Sequence, residues 1–364
     1  MPSVAILIPH YNDPKILESC LDSLGNLSSE SPSCQILLID DASTDDSAEW
    51  IEKNHPEVEL VRREENGGFV AAIESGIENS ESEILVFLNN DTWVEPEWLK
   101  NLVEPLLAGK VEGATGSVIL DWEGTQATFI EGTINYLGFG FANRGEIPKP
   151  EAPPIPLLFV CGGAMALSRR LYKEIGGFDR SFGSIYEDLD LGWRLNTLGY
   201  DCRLIPTSQV YHRDHVSFGR MGYEKKASLY IGNSLRTVFK NSDERNRLKR
   251  IELAVTLAQA RERVTLLGEN LKRGLLERIG GFFQTQGRST PIVDALVSEE
   301  ERTRELAEKR RFIQANRKRS AEELFDRFVP NPTRGWYYDE EQNRLLEEKR
   351  YWEFEREMYE RYGL

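Results

Sequence analysis

ILVFLNND, residues 84–91, decides how the chain is read. Five apolar residues, Ile84 to Leu88, run straight into two amides and a carboxylate. A strand that is apolar at every position is buried on both faces, the habit of strands in parallel sheets. Its polar end then has two explanations, a turn that favours Asn and Asp or a ligand. Upstream, VAILI (4–8), QILLID (35–40) and VELVRR (58–63) read as further strands. Between them, PKILESCLDSL (14–24) carries Ile16, Leu17, Cys20, Leu21 and Leu24 at helical period. STDDSAEWIEK (43–53) opens on Ser43 as N-cap with Asp46 at the capping-box position, and GFVAAIESGIEN (68–79) is a third helix. The order β-α-β-α-β-α-β predicts a largely parallel sheet covered by helices on both faces.

Downstream the pattern loosens. EPEWLKNLVEPLL (95–107) is a helix and GATGSVIL (113–120) a strand, and residues 121–156 read as irregular hairpins. LLFVCGGAMALS (157–168) is a strand with a Gly-Gly interruption, EDLDLGWRLNTLG (187–199) a helix, and DCRLIP (201–206) a last strand. Past residue 219 helices dominate, with capping-box patterns at Ser298/Glu301 and Ser320/Glu323 and a stripe of Leu324, Phe325 and Phe328. The end of the chain reads as one charged helix with Leu345, Trp352 and Tyr359 seven apart. Two domains are expected, 1–218 and 219–364.

Charge divides the chain at the same place. Residues 1–218 hold 15 Lys and Arg against 35 Asp and Glu, and the remainder holds 30 against 25. So acidic a first domain argues against nucleic acid as its ligand, because phosphate backbones need a basic footprint. A phosphate held through a metal ion remains open. Cys20, Cys34, Cys161 and Cys202 show no metal or disulfide spacing and read as free thiols of a reducing cytoplasm. The start runs directly into a strand, which reads as lacking a signal peptide. The longest apolar stretch, 155–167, is too short and Gly-rich to span a bilayer.

Sheets of this kind bind ligands beyond the carboxyl ends of their strands. Those ends carry Pro9-His10-Tyr11-Asn12, Asp40-Asp41-Ala42-Ser43, Arg63 to Gly67, and Asn89-Asn90-Asp91. The last cluster is either a turn or a site for a hard cation, which takes one carboxylate, water and ligand phosphates. Asp40 and Asp41 point to opposite sides of a strand end. Both can form turns, or one can cap the turn while the other accepts the N3–H of a uracil or thymine. Glu187-Asp188-Leu189-Asp190 suits the positive end of a helix, and a carboxylate kept ionised there is also a usable general base. His212 and His215 are packed or surface residues, or one of them completes a metal site with Asp91. GxGxxG after the first strand, GxxxxGK[ST] and GxSxG are all missing, which speaks against a dinucleotide fold, a P-loop and a nucleophile elbow.

ILIPHYN, LLIDDASTD, RREENGGFVAA, LVFLNNDT, CGGAMALSRR, GGFDRSFGSIYEDLDLGWRL and VYHRDHVSFG follow one another in an order that resembles the family 2 glycosyltransferases, especially the rhamnosyltransferase-like branch, over residues 1 to about 218. The resemblance implies a GT-A fold, Rossmann-like with a mixed, mainly parallel sheet, and inverting transfer from a dTDP- or UDP-sugar to a glycan or lipid-linked glycan. It implies Pro9, Tyr11, Asp41, Asn66 and Asn90 on the nucleotide, with Asp41 on the base. It implies Asp91 and His212 on Mn²⁺ or Mg²⁺, Asp188 as catalytic base, and Gly162, Gly163 and Glu187 on the acceptor side. Asn90 stands where the family's metal motif usually has its first acid, and Glu74 and Ser75 stand where relatives often carry Asn. A nucleotidyltransferase and a non-catalytic sugar-nucleotide binder are the competing readings. The first would want a Gly- and Arg/Lys-rich loop where PHYNDP stands, and Asp91 with Asp188 argues against the second. Of the tail, KRGLLERIGGFFQTQGR (272–288) suits either an anionic membrane surface or a helix packed on the catalytic domain. The terminal helix suits pairing with a second copy or covering the acceptor. The expected setting is the cytoplasm or the inner face of its membrane.

Overall fold

The computed structural model describes residues 3–213, 223–266, 300–336 and 340–364. They sort into two compact units. The first comprises Met1–Thr133, Gly140–Arg220 and Ala315–Phe328, and the second Ile134–Phe139, Met221–Gln314 and Val329–Leu364. The main division falls after Arg220, with Ile134–Phe139 grouped in the second unit and Ala315–Phe328 in the first.

In the first unit the alternation begins as the apolar runs predict, with β1 (Val4–His10), α1 (Lys15–Gly25), β2 (Cys34–Asp40), α2 (Ser47–Asn54), β3 (Glu59–Arg62), α3 (Gly68–Glu78) and β4 (Ile84–Leu88). β5 (Thr92–Val94), α4 (Trp98–Leu107), β6 (Gly113–Leu120), β7 (Ala127–Ile134), β8 (Gly140–Gly145), β9 (Ile155–Leu157), β10 (Ala164–Ser168), α5 (Arg169–Glu174), α6 (Glu187–Thr197) and β11 (Asp201–His212) follow. The sheet order is β3-β2-β1-β4-β10-β6-β11-β5, with β7 and β8 extending from β6, and β9 on β11. The run β3-β2-β1-β4 is parallel, whereas β10 lies antiparallel between β4 and β6. Every residue of β4 and β6 is buried, and α1 buries the five apolar positions that its period marked.

Three local expectations are corrected. α2 starts at Ser47, not Ser43, because residues 43–45 bridge back to the β1 loop. Thr44 N donates to Asn12 Oδ1 (2.8 Å) and Asp45 Oδ2 accepts from Asp13 N (2.6 Å). The stretch 157–168 is two strands, β9 ending at Leu157 and β10 starting at Ala164, on different neighbours. The terminal helix is broken into Glu340–Glu348 and Tyr351–Tyr362, with Arg350 left-handed at φ 55°, so Leu345, Trp352 and Tyr359 do not share one helix. The reciprocal bonds Ser320 N to Glu323 Oε2 (2.8 Å) and Glu323 N to Ser320 Oγ (3.0 Å) form the expected capping box. Ser298, His215 and residues 272–288 lie outside the described residues. In the second unit the aromatic face of Tyr351–Tyr362 packs inside its own unit. The Arg261 guanidinium sits 4.9 to 5.9 Å from the ring centroids of Trp336, Tyr351, Trp352 and Phe139. No helix among the described residues is long and apolar enough to cross a membrane.

β6 and β11 approach so closely at Gly113 that a Cβ there would lie 1.8 Å from the Asp201 carbonyl oxygen. Gly113→Ala must push the two strands apart, and overpacking of this kind costs about 2 kcal/mol. Thermal melts should show the variant unfolding several degrees lower, and an unchanged midpoint would contradict the strand register.

Candidate active site

The carboxyl ends of β1, β2 and β4 meet the start of α6 and the end of β11. Asp91 follows β4 and is 6% exposed. His212 reaches it because β11 pairs with β5, setting His212 opposite Thr92. Asp91 Oδ1 lies 3.1 Å from His212 Nε2, and Asn89 Nδ2 lies 3.3 Å from the same nitrogen. The Arg213 amide donates to the Asp91 carbonyl (3.0 Å), fixing the strand end against the loop. A carboxylate oxygen and a ring nitrogen facing each other at that distance have either a hydrogen, as in a neutral Nε2–H ring, or a cation between them. An octahedral ion with donors at about 2.1 Å sets neighbouring donors about 3 Å apart, so this pair fits two adjacent ligand positions. Among the described residues no group of three or more His, Cys, Asp and Glu surrounds a metal position. The remaining positions would fall to ligand phosphates and water, which suits Mn²⁺ and Mg²⁺.

A chain of contacts links this pair to Asp188. Asn89 N donates to the Gly163 carbonyl (2.9 Å), and Gly162 N donates to Asp188 Oδ2 (2.9 Å). The two glycines are needed for that approach: a Cβ on Gly163 would lie 2.8 Å from Asn89 Nδ2, and one on Gly162 3.1 Å from Asp188 Cβ. Asp188 Oδ1 accepts from Leu189 N (2.7 Å). Burial raises the Asp188 pKa above the ordinary carboxylate range, against the pull of its bonds from Gly162 and Leu189. Glu187 is pushed up to about 8 by burial and then by the neighbouring Asp188 charge, and its Oε2 has no hydrogen-bond partner.

The nucleotide-side residues form a second cluster. Asp40 Oδ1 caps its turn by accepting from Ser43 N (3.0 Å). Asp41 is 3% exposed, and its carboxylate accepts from Arg63 Nε (2.7 Å), Gly67 N (3.0 Å) and Gly68 N (2.7 Å). Its oxygens cap α3 and hold Arg63. Asn66 Nδ2 donates to the Asp41 carbonyl (3.1 Å). Pro9 is half-buried at the end of β1, and Tyr11, 45% exposed, stands just beyond it. α3 in turn meets the loop before α6, where Val70 N donates to the Gly183 carbonyl (3.0 Å) and Phe69 N to Ser184 Oγ (3.4 Å). The two clusters therefore belong to one continuous sheet edge.

Sequence reasoning missed three features here. Arg63 was legible as a cation among acids after β3. His10, buried at 2%, was visible only as a member of its cluster. Backbone strain had no sequence signal. Among the described residues, the non-glycine positions with positive φ are Asn12, Asp13, Ala42, Ile185, Tyr186 and Arg350. All but Arg350 lie in the site's loops, where each costs about 1–2 kcal/mol unless neighbours hold it.

The glycosyl transferase family 2 model matches residues 5–176. Glu187, Asp188 and His212 lie beyond that match. The O-antigen biosynthesis protein RfbC of Myxococcus xanthus is 29% identical over 240 residues, covering 60% of this chain and 18% of that protein. The N-acetylglucosaminyl-diphospho-decaprenol L-rhamnosyltransferase of Mycobacterium tuberculosis is 26% identical over 246 residues, covering 60% of this chain and 78% of the relative. A solved structure of GalNAc-T7 with UDP, GalNAc and Mn²⁺ superposes with a TM-score of 0.58 at 19% identity, covering 71% of this chain and 51% of that one. This last likeness is one of fold, the mixed α/β sheet of the GT-A glycosyltransferases. The chain spans less than two thirds of RfbC and of several other relatives.

Proposed function

We propose, on the premise that residues 5–176 belong to glycosyl transferase family 2, that this chain is a metal-dependent inverting glycosyltransferase. It moves a sugar from a dTDP- or UDP-sugar to a hydroxyl of a glycan or lipid-linked glycan, in the synthesis of bacterial surface polysaccharide. One observation carries the reading: the Asp91–His212 pair is joined through Asn89 and Gly163-Gly162 to Asp188 on the same sheet edge. A divalent ion held by Asp91 and His212 would supply positive charge opposite the departing diphosphate. The imidazole favours Mn²⁺ over Mg²⁺, which prefers oxygen ligands. Asp188 takes the proton of the acceptor hydroxyl. The freed oxygen pair forms the new bond to the anomeric carbon while the bond to the diphosphate oxygen breaks on the opposite face. Tyr11 and the Arg63–Asp41 pair lie where the nucleoside would rest, and Gly162, Gly163 and Glu187 where the acceptor would approach.

Two measurements check this reading. In a thermal-shift screen of UDP, dTDP and their sugars, Mn²⁺ together with the matching nucleotide should stabilise the protein. At about 100 times Kd the gain is about 2.7 kcal/mol, several degrees. Incubation with donor, Mn²⁺ and candidate acceptors should release nucleoside diphosphate and glycosylated product. Release of pyrophosphate, or binding without turnover across acceptors, would overturn the transferase reading. The pH profile is a second check. Only the ionised form of Asp188 accepts a proton, so activity is lost as pH falls through its raised pKa. The acid limb of kcat should therefore lie above the ordinary carboxylate range. A limb near pH 4 would mean that the group is solvated and not this one.

A further inference from the structure

Asn90 stands beside the metal-site carboxylate, and a carboxamide can offer a ligand either its oxygen or its nitrogen. The structure ties down one end. Asn90 Nδ2 lies 2.9 Å from His10 Nδ1, and His10 Nε2 lies 3.0 Å from Ser47 Oγ. The Ser47 hydroxyl donates to Asp45 Oδ1, whose partner oxygen accepts from the Asp13 amide (2.6 Å). The four side chains come from the ends of β1 and β4 and the start of α2. Asn90, His10 and Ser47 are 7%, 2% and 0% exposed.

The direction of each bond follows from the chemistry of the far end. An ionised carboxylate only accepts. What burial Asp45 has raises its pKa, but bonds from the Ser47 hydroxyl and from the Asp13 and Ser47 amides bring it below the usual range. Ser47 therefore gives its proton to Asp45 and can accept only through its oxygen. His10 Nε2 opposite it must carry a proton. With His10 neutral, Nδ1 is then the acceptor, whereas a doubly protonated ring would donate from both nitrogens. On the neutral ring Asn90 donates to it, which turns the NH₂ inward and leaves the carbonyl oxygen facing outward.

We infer that Asp45, Ser47 and His10 are positioning residues that lock Asn90 with its carboxamide oxygen towards the nucleotide site beside Asp91, as a neutral acceptor for an O–H donor of the ligand. An unlocked amide would present donor and acceptor alike. The lock supplies the acceptor oxygen of an acid without adding charge to a site that must admit a diphosphate. The ligand named here rests on the glycosyltransferase reading, whereas the lock does not.

The test has two arms. Calorimetry with UDP and Mn²⁺ is run on the unaltered chain, His10→Phe, Asn90→Ala and the double variant. Each single change should weaken binding about tenfold, and the double no more than either, because His10 acts only through Asn90. Additive losses, or full affinity in His10→Phe, would overturn the proposal. If His10→Phe does not fold, Ser47→Ala replaces it with the same expectation, that it is silent once Asn90 is alanine. The second arm needs no ligand. Histidine-selective ¹⁵N labelling gives signals from only four imidazoles, and His10 should appear as the Nε2–H tautomer. An Nδ1–H tautomer or a doubly protonated ring would reverse Asn90 and end the proposal. If the unaltered chain binds neither UDP nor dTDP, the functional reading fails, and the tautomer still decides the lock.

Discussion

Asp188→Asn should lower kcat about a thousandfold, within the range of roughly 10²–10⁴ that a positioned general base contributes. Nucleotide binding should remain intact. The amide is nearly the same shape and retains one oxygen for either Gly162 N or Leu189 N. It cannot take a proton at neutral pH. The carboxylate lies apart from the Asp91–His212 pair, with Asn89 and the two glycines between them. Stability should change little, since removing a buried negative charge beside Glu187 offsets the loss of one of the two backbone hydrogen bonds. That combination, catalysis gone with binding and stability kept, separates a base from a structural carboxylate. Turnover close to the unaltered enzyme would reject Asp188 as the base.

Asp91→Ala should weaken nucleoside diphosphate binding about a hundredfold in Mn²⁺ and leave the weak binding in EDTA unchanged. The difference between the two conditions is the informative part. A role confined to shaping the loop would lower affinity equally with and without metal. Asp91 is the carboxylate facing the His212 ring at 3.1 Å, and on the proposed reading its loss would leave the imidazole as the remaining side-chain ligand of the pair. Calorimetry in the two buffers measures the contrast, and equal affinities in Mn²⁺ for variant and parent would remove Asp91 from the metal site.

What could be read in advance follows the range of the interactions involved. The β-α alternation, the buried face of α1 and the Ser320–Glu323 box are set by residues a few positions apart, and each was legible. The approach of His212 to Asp91 was open to a reading of the strand ends, whereas Asp188 beside them was implied by the resemblance of the motifs. Features set by distant partners were not legible. The antiparallel insertion of β10 between β4 and β6 depends on pairing across more than seventy residues, which an apolar run does not encode. The capture of Asp41 by Arg63 and the amides of Gly67 and Gly68 is a choice among partners that its strand end leaves open. The late start of α2 has the same origin: Thr44 and Asp45 bond across to Asn12 and Asp13.

On the proposed reading one edge of the sheet holds a metal-bound diphosphate at Asp91 and His212 and an activating carboxylate at Asp188. Crystals of the chain grown with UDP and Mn²⁺, and measured at the manganese absorption edge, test it most directly. An anomalous peak contacting Asp91, His212 and the diphosphate oxygens, with Asp188 facing the same cleft, is the predicted result. Manganese and diphosphate bound away from Asp91, or a cleft that Asp188 does not reach, would contradict it.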